Sequence, residues 1–364
     1  MINRMNRPRF RIVGTPLVAL MLLAFGVGAT HVTPAASSIA VEKGLFIGAK
    51  EAVHPSWFKA SFLDFSEDID EASAQGKRLA LYFWQDGCPY CNQLWEHNMA
   101  VDNIETKFRD NFDVVAINIW GDEEVISVGG KVYSEKQLSE ALDVNYTPTL
   151  IFYTEAKKPA LRLNGYYPPQ EFDAALDYVR TKQESVQSFA THRADIERIT
   201  SVGLPLENTQ DYFKPVTELS SLLGATRKQA MAVLFESPNC APCNTFHQKT
   251  LADEATTGLL QQMDVVQLNV LNQQQMHEIN GEKITASQWA KKLDIAYYPS
   301  LVFFNEQGEY IMQIDSSLRT FHVQSVFAYV VEGAYLEEPN FQRYISDRAE
   351  ALREQGVDVD IWRY

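Results

Sequence analysis

A chain of 364 residues with 46% hydrophobic content holds enough apolar material for two domain cores and does not have the composition of a disordered protein. Its net charge of −15 excludes nucleic acid as a partner, because a phosphate backbone needs a positive surface, and it argues equally against docking on anionic lipid by charge. The only charges before Glu42 are Arg4, Arg7, Arg9 and Arg11; without a leader that carries them, 28 basic residues face 47 acidic ones, a net −19.

The first 29 residues read as an export signal. A basic stretch to Arg11 precedes the apolar run Leu17–Phe25, and Val27-Gly28-Ala29 fits a small-x-small cleavage site after Ala29. The alternative is an uncleaved anchor over Ile12–Ala29, a membrane tether through the N-terminus alone. Residues 30–55 lack periodicity and read as a linker. A first domain is expected over 56–184. Glu67–Gln75 has the pattern of a short helix that Gly76 stops, and Leu79–Trp84 that of a buried strand. Cys88-Pro89-Tyr90-Cys91 opens a helix, with Pro89 at the first helical position, where its missing N–H costs nothing. Val114–Ile119 is a second buried strand. Ser134 and Gln137 form a capping box that starts a helix ending near Leu142. Thr149–Tyr153 and Ala160–Leu163 are strands, and Gln170–Lys182 is a closing helix.

A helical connector (185–215) leads to a second domain (216–336) with the same order of elements. Ala230–Phe235 is a strand, Cys240-Ala241-Pro242-Cys243 opens a helix, and Val265–Val270 is a strand. Thr285 and Gln288 repeat the capping box. Leu301–Phe304 and Tyr310–Ile314 form a hairpin, and Phe321–Glu332 a helix. The first cysteine lies 60 residues before Pro148 in one half and 59 before Pro299 in the other, so the halves are a tandem repeat. A tail (337–364) has a helical pattern at Phe341, Ile345 and Leu352, and nothing in its sequence says where it docks.

All four cysteines belong to the two Cys-x-x-Cys pairs. That spacing makes a tight loop suited to redox exchange rather than to stapling a fold. A cysteine at a helix start meets the positive end of the macrodipole and unpaired N–H groups, which favour the attacking thiolate. Cys88 and Cys240 are therefore the expected nucleophiles, with Cys91 and Cys243, one turn inside and more buried, as resolving thiols. His97 and His247 read as surface groups on the helices that follow.

A strand, a Cys-x-x-Cys at a helix start, a β-α segment and then an isolated proline before a hairpin resemble the thioredoxin fold, in both halves. The expected fold class is therefore α/β, two tandem thioredoxin-like domains, each a central mixed sheet flanked by helices. The stretch Phe83-Trp84-Gln85-Asp86-Gly87-Cys88-Pro89-Tyr90-Cys91, together with Asn118-Ile119-Trp120-Gly121, Gly165-Tyr166 and the tail Gly356–Trp362, is similar to the periplasmic thioredoxins of the SoxW type. Cys-Pro-Tyr-Cys is also a glutaredoxin motif, but the Gly-Gly-x-Asp element that glutaredoxins use for glutathione is missing after Pro148.

The resemblance implies a cis-proline loop that faces each pair and binds an extended client segment. Thr147 with Pro148, and Tyr298 with Pro299, match it, and the Tyr298 ring is expected to narrow the second site. Pro89 and Tyr90 are further candidates for client contact. It implies redox-active disulfides Cys88–Cys91 and Cys240–Cys243, with no cofactor and no metal. The implied role is reduction of disulfides in periplasmic client proteins, supplied by a membrane electron donor of the DsbD or CcdA type. The chain departs from the family where thioredoxins keep a buried carboxylate six positions before the first cysteine: Tyr82 and Leu234 stand there, and Asp86 and Glu236 are the nearest acids. Oxidation or isomerisation of client disulfides, and non-enzymatic binding of clients or metal, remain the alternatives.

Overall fold

Residues 41–101, 103–193, 205–215 and 229–364 are described by the computed structural model of this chain. The expected leader and the middle of the connector lie outside the described residues.

Arg78–Trp84 is almost wholly apolar because it is buried on both faces. It lies between Phe112–Asn118, which runs parallel to it, and Thr149–Tyr153, which runs antiparallel; Pro159–Asn164 completes a four-stranded mixed sheet. Alternation along the strand splits its side chains between two cores, Ala80 and Tyr82 on one face and Leu79, Leu81 and Phe83 on the other. Met231–Glu236 repeats this, with Asp264–Asn269 parallel, Ser300–Phe304 antiparallel and Tyr310–Ile314 outside. The architecture is the expected one, two mixed sheets flanked by helices. Both capping boxes are formed and start the helices Glu135–Ala141 and Ala286–Lys292. Two features of each half escape the sequence reading. A three-residue hairpin precedes each capped helix, Glu124–Ile126 with Val132–Ser134 and Gln275–His277 with Lys283–Thr285. The helix after each cysteine pair also widens into a π-helical stretch, Leu94–Asn98 and Phe246–Leu251.

The two halves share a core. One continuous apolar cluster takes Ala80, Tyr82, Leu150 and Phe152 from the first sheet and Ala232, Leu234, Leu301 and Phe303 from the second. At the junction, Gly165 has φ +83°, and a Cβ on it would stand 2.3 Å from Ser316 Oγ, so glycine alone permits the approach. Ser317 N–H donates to Tyr166 O at 3.0 Å and Tyr146 Oη to Gln313 O at 3.1 Å.

The tail docks on this junction. Phe341 and Ile345 of the helix Phe341–Glu354 enter the shared cluster. Val359–Asp360 pairs in parallel with Phe46–Ile47, a segment read from sequence as linker. Two hydrogen bonds between Gly44 and Arg353, 2.8 and 2.9 Å long, tie the same two segments. Among the described residues no helix is long and apolar enough to cross a membrane.

Asp315 lies buried beside Tyr146, Tyr167 and Arg162, with one carboxylate oxygen unpartnered. Burial pushes its carboxyl up to about 6 from the ordinary 3.8. Its protonated form is thus favoured by folding. The resulting stability is full below about pH 4 and lost as pH rises through about 6, roughly 3 kcal/mol in all. Asp315→Asn should flatten that part of the pH dependence and stabilise the protein at pH 7, as read from urea midpoints at pH 4 and 7. Equal slopes in parent and variant would rule this out.

Candidate active site

The loop Gln85-Asp86-Gly87 carries the chain from Arg78–Trp84 to Cys88. Gly87 has φ +76°, a conformation that favours glycine. Cys88 is the N-cap of the helix Pro89–Gln93, and its Sγ accepts from Cys91 N–H at 3.2 Å. Thr147–Pro148 is a cis peptide, as the resemblance implied. It brings the Thr147 hydroxyl, which donates to Cys88 Sγ at 3.3 Å, and the Thr147 carbonyl, 3.4 Å from the same sulfur. Gln85 orients that hydroxyl: its amide donates to Thr147 Oγ1 at 2.9 Å, and its carbonyl accepts from Trp120 Nε1 at 2.8 Å. A chain of hydrogen bonds therefore runs from Trp120 through Gln85 and Thr147 to the sulfur.

The two thiols are made unequal by these contacts. Burial alone would push Cys88 up, but hydrogen bonds from the Cys91 thiol, the Thr147 hydroxyl and the Cys91 and Tyr90 N–H groups outweigh it, and the thiol titrates below its ordinary range. Burial pushes Cys91 well above that range, and the neighbouring Cys88 adds to the effect. Cys88 is 6% exposed and Cys91 1%. Thr147→Val keeps the shape and removes the donor. It should raise the Cys88 pKa, because the thiolate loses a charge-assisted hydrogen bond. The pH profile of iodoacetamide alkylation measures this, and an unshifted profile would remove Thr147 from the account.

In place of the family's carboxylate, Tyr82 presents a fully buried hydroxyl beside the Cys91 thiol and Trp95. The Trp95 ring lies 4.8 Å from that of Tyr82.

Tyr90 does not stand on an open rim. It is 4% exposed; its Oη accepts from Arg319 N–H at 2.8 Å and meets His322 Nδ1 at 3.0 Å, and the Trp362 ring lies 5.3 Å away. Burial lowers His322 to about 4, which keeps it neutral at neutral pH. Gln342 of the tail helix accepts from Gln85 at 2.7 Å and donates to Asn145 O at 2.6 Å. Cys88 therefore opens into a cleft of about 480 Å³, walled by its own domain on one side and by Phe321, His322 and the tail helix on the other.

The second pair repeats the local geometry. Cys240 is an N-cap whose Sγ accepts from Cys243 N–H at 3.1 Å, and Tyr298–Pro299 is also cis. Cys240 and Cys243 are joined in a disulfide, whereas Cys88 and Cys91 are free thiols. Tyr298 O stands 3.7 Å from Cys240 Sγ. One expectation is corrected here. The Tyr298 ring is buried in the core of the second domain, in the apolar cluster that also holds Cys243. The second site is the more open one, with Cys240 half-buried and Ala241 exposed.

His97 is exposed, as expected, but His247 is buried, because partners distant in sequence satisfy both its nitrogens. Its Nε2 lies 3.1 Å from both carboxylate oxygens of Glu236, and its Nδ1 lies 3.2 Å from the Gln210 amide. Gln267 donates to Glu236 at 2.5 Å. Glu236 lines a cavity of about 10 Å³ with Ser237, Cys240 and Cys243. An acid four places before the cysteine is thus held beneath the second pair, at a spacing the family pattern does not use.

The thioredoxin-like domain family matches the chain twice, over residues 65–180 and 220–330, and the chain belongs to that family. Among solved structures it is similar to a thioredoxin-fold protein from Helicobacter pylori (22% identity, 31% of this chain and 74% of that one, TM-score 0.29). It is also similar to a thioredoxin from Thermus thermophilus (24% identity, 32% and 83%, TM-score 0.26) and to StoA from Bacillus subtilis (17% identity, 27% and 81%, TM-score 0.20). No curated protein matches the chain at a significant level.

Proposed function

We propose that the protein is an exported thiol–disulfide oxidoreductase that reduces disulfides in periplasmic client proteins, with Cys88–Cys91 and Cys240–Cys243 as its redox-active pairs. The observation that carries this reading is the inequality of the first pair: Cys88 is held toward the thiolate by Thr147 and two backbone N–H groups, while Cys91 is held as a thiol. Cys88 attacks a substrate disulfide, the substrate S–S bond breaks, and a mixed disulfide forms. Cys91 gives up its proton and attacks Cys88 Sγ, which releases the second substrate thiolate and leaves the pair oxidised. Two electrons pass to the substrate. Thr147–Pro148 and Tyr298–Pro299 are the segments along which an extended substrate would lie, and Pro89 and Tyr90 border the first. No cofactor is required. A membrane dithiol carrier of the DsbD or CcdA type would re-reduce the pairs, and the leader, if retained, would be the only tether to the membrane.

A thiol-trapping redox titration, read peptide by peptide in a mass spectrometer, tests this. Reversible pairs with a potential near that of thioredoxin, about −270 mV, are the expected result. A value near about −120 mV would reverse the direction to oxidation, and failure to form reversible disulfides would end the enzymatic reading.

A further inference from the structure

Cys88 faces a bounded cleft, and the boundary limits what can reach it. Pro89 and Tyr90, between the cysteines, are both buried, Tyr90 against the second domain and Trp362 of the tail. The tail helix is tied to both sides of the site, through Gln342 to Gln85 and Asn145 and through Arg343 to Glu140 at 2.9 Å. Folded proteins present disulfides on surfaces far broader than a 480 Å³ cleft; a molecule of ten to thirty heavy atoms fits it. Cys240, by contrast, is half-buried beside the exposed Ala241.

The cleft also has a charge. Glu350 on its wall is paired with Lys43 and Arg353. Asp86 and Asp347, both exposed on the lining, have no salt bridge among the described residues. A mouth carrying two unpaired carboxylates attracts cations and repels anions, an effect that salt screens.

We propose that the Cys88–Cys91 pair exchanges with low-molecular-weight disulfides that enter this cleft, cationic and neutral ones in preference to anionic ones, and that protein disulfides are left to the Cys240–Cys243 pair. The inference rests on the exchange chemistry proposed above and narrows it: client proteins remain the substrates of the second pair, and small disulfides become those of the first. Cys88 thiolate attacks one sulfur of R–S–S–R and forms Cys88–S–S–R, and RS⁻ leaves to take a proton from water. Cys91 loses its proton, attacks Cys88 Sγ and expels the second RS⁻. The products are two RSH and the Cys88–Cys91 disulfide, which dithiothreitol reduces in the assay.

Two full-length variants isolate the nucleophiles: Cys91→Ser with Cys240→Ser and Cys243→Ser leaves Cys88, and Cys88→Ser with Cys91→Ser and Cys243→Ser leaves Cys240. Mixed-disulfide formation is timed with cystamine, bis(2-hydroxyethyl) disulfide, dithiodiglycolate and insulin, each rate divided by that of free dithiothreitol. The ratio of small-molecule to insulin rate is expected to be at least 100-fold larger for Cys88 than for Cys240. Cystamine should exceed dithiodiglycolate at Cys88 by several-fold, an advantage lost in 1 M salt and in Asp86→Asn with Asp347→Asn. Ser346→Trp in the otherwise unmodified chain, which fills the cleft from an exposed position, should slow the small disulfides at Cys88 at least tenfold without changing Cys240. Equal ratios at Cys88 and Cys240 overturn the size restriction and leave the exchange reading intact. If neither cysteine reacts faster than a free thiol, both fall.

Discussion

Replacing Cys88 with serine is expected to lower exchange at the first pair by roughly 10³-fold or more, while replacing Cys91 with serine leaves a reactive protein that stalls as a mixed disulfide. Exchange needs a thiolate that a substrate sulfur can reach. In Cys88→Ser the remaining sulfur is Cys91, which is 1% exposed and held as a thiol by burial. In Cys91→Ser the Thr147 hydroxyl and the backbone N–H groups still hold Cys88 toward the thiolate. Part of its stabilisation is lost, because the Cys91 thiol is itself one of the donors. The alkylation midpoint of Cys88 should therefore lie below the ordinary cysteine range in the parent and move up in Cys91→Ser. Single-turnover trapping with a radiolabelled small disulfide reads both outcomes. Comparable trapping by the two serine variants would mean that the roles of the two sulfurs are not divided in this way.

The second large effect concerns stability. Glu236→Ala is expected to cost about 2–5 kcal/mol, the penalty for leaving two buried donors unsatisfied at about 1–3 kcal/mol each. The carboxylate takes hydrogen bonds from His247 and Gln267 inside the second domain, where Glu236 and His247 have side chains only 2% exposed. Truncation leaves both donors without a partner and adds a void next to the cavity under Cys240 and Cys243. Glu236→Gln keeps the volume and one acceptor but turns an amide N–H toward the Gln267 donor, so a smaller loss of about 1–2 kcal/mol is expected. Denaturant midpoints of the oxidised proteins give the comparison. An alanine variant as stable as the parent would show that the Glu236 network contributes nothing to folding.

The same network marks a limit of sequence reading. Glu236 is legible in the sequence as an acid near the cysteines but off the position the family uses. Its setting is decided by His247 and Gln267, which reach it from separate segments, and by Gln210, which holds the other nitrogen of His247. His247 read as a surface group because a lone histidine on a helix carries no sign of distant partners. Tyr298 read as an obstacle because of its size, yet its direction is set by a core that includes Trp289 and Phe304. Gln85 and Trp120 were legible only as parts of a resemblance; the hydrogen bonds that join them to Thr147 and Cys88 gave them a physical role.

What the sequence determined by itself was everything that depends on neighbours along the chain. Strands buried on both faces are unbroken apolar runs, capping boxes need residues three apart, and a Cys-x-x-Cys pair at a helix start makes its own N-cap. Because each half carries these signals at matching positions, the repeat, both sheets and both cysteine pairs could be placed. Only the tertiary structure decided which pair is enclosed. The tail closes over Cys88 through contacts such as Gln85 with Gln342 and Tyr90 with Trp362, more than 200 residues apart in the chain. Helical periodicity shows that a tail has an apolar face to bury; it does not show which surface offers the matching apolar area and hydrogen bonds, because that surface exists only after both domains have folded together.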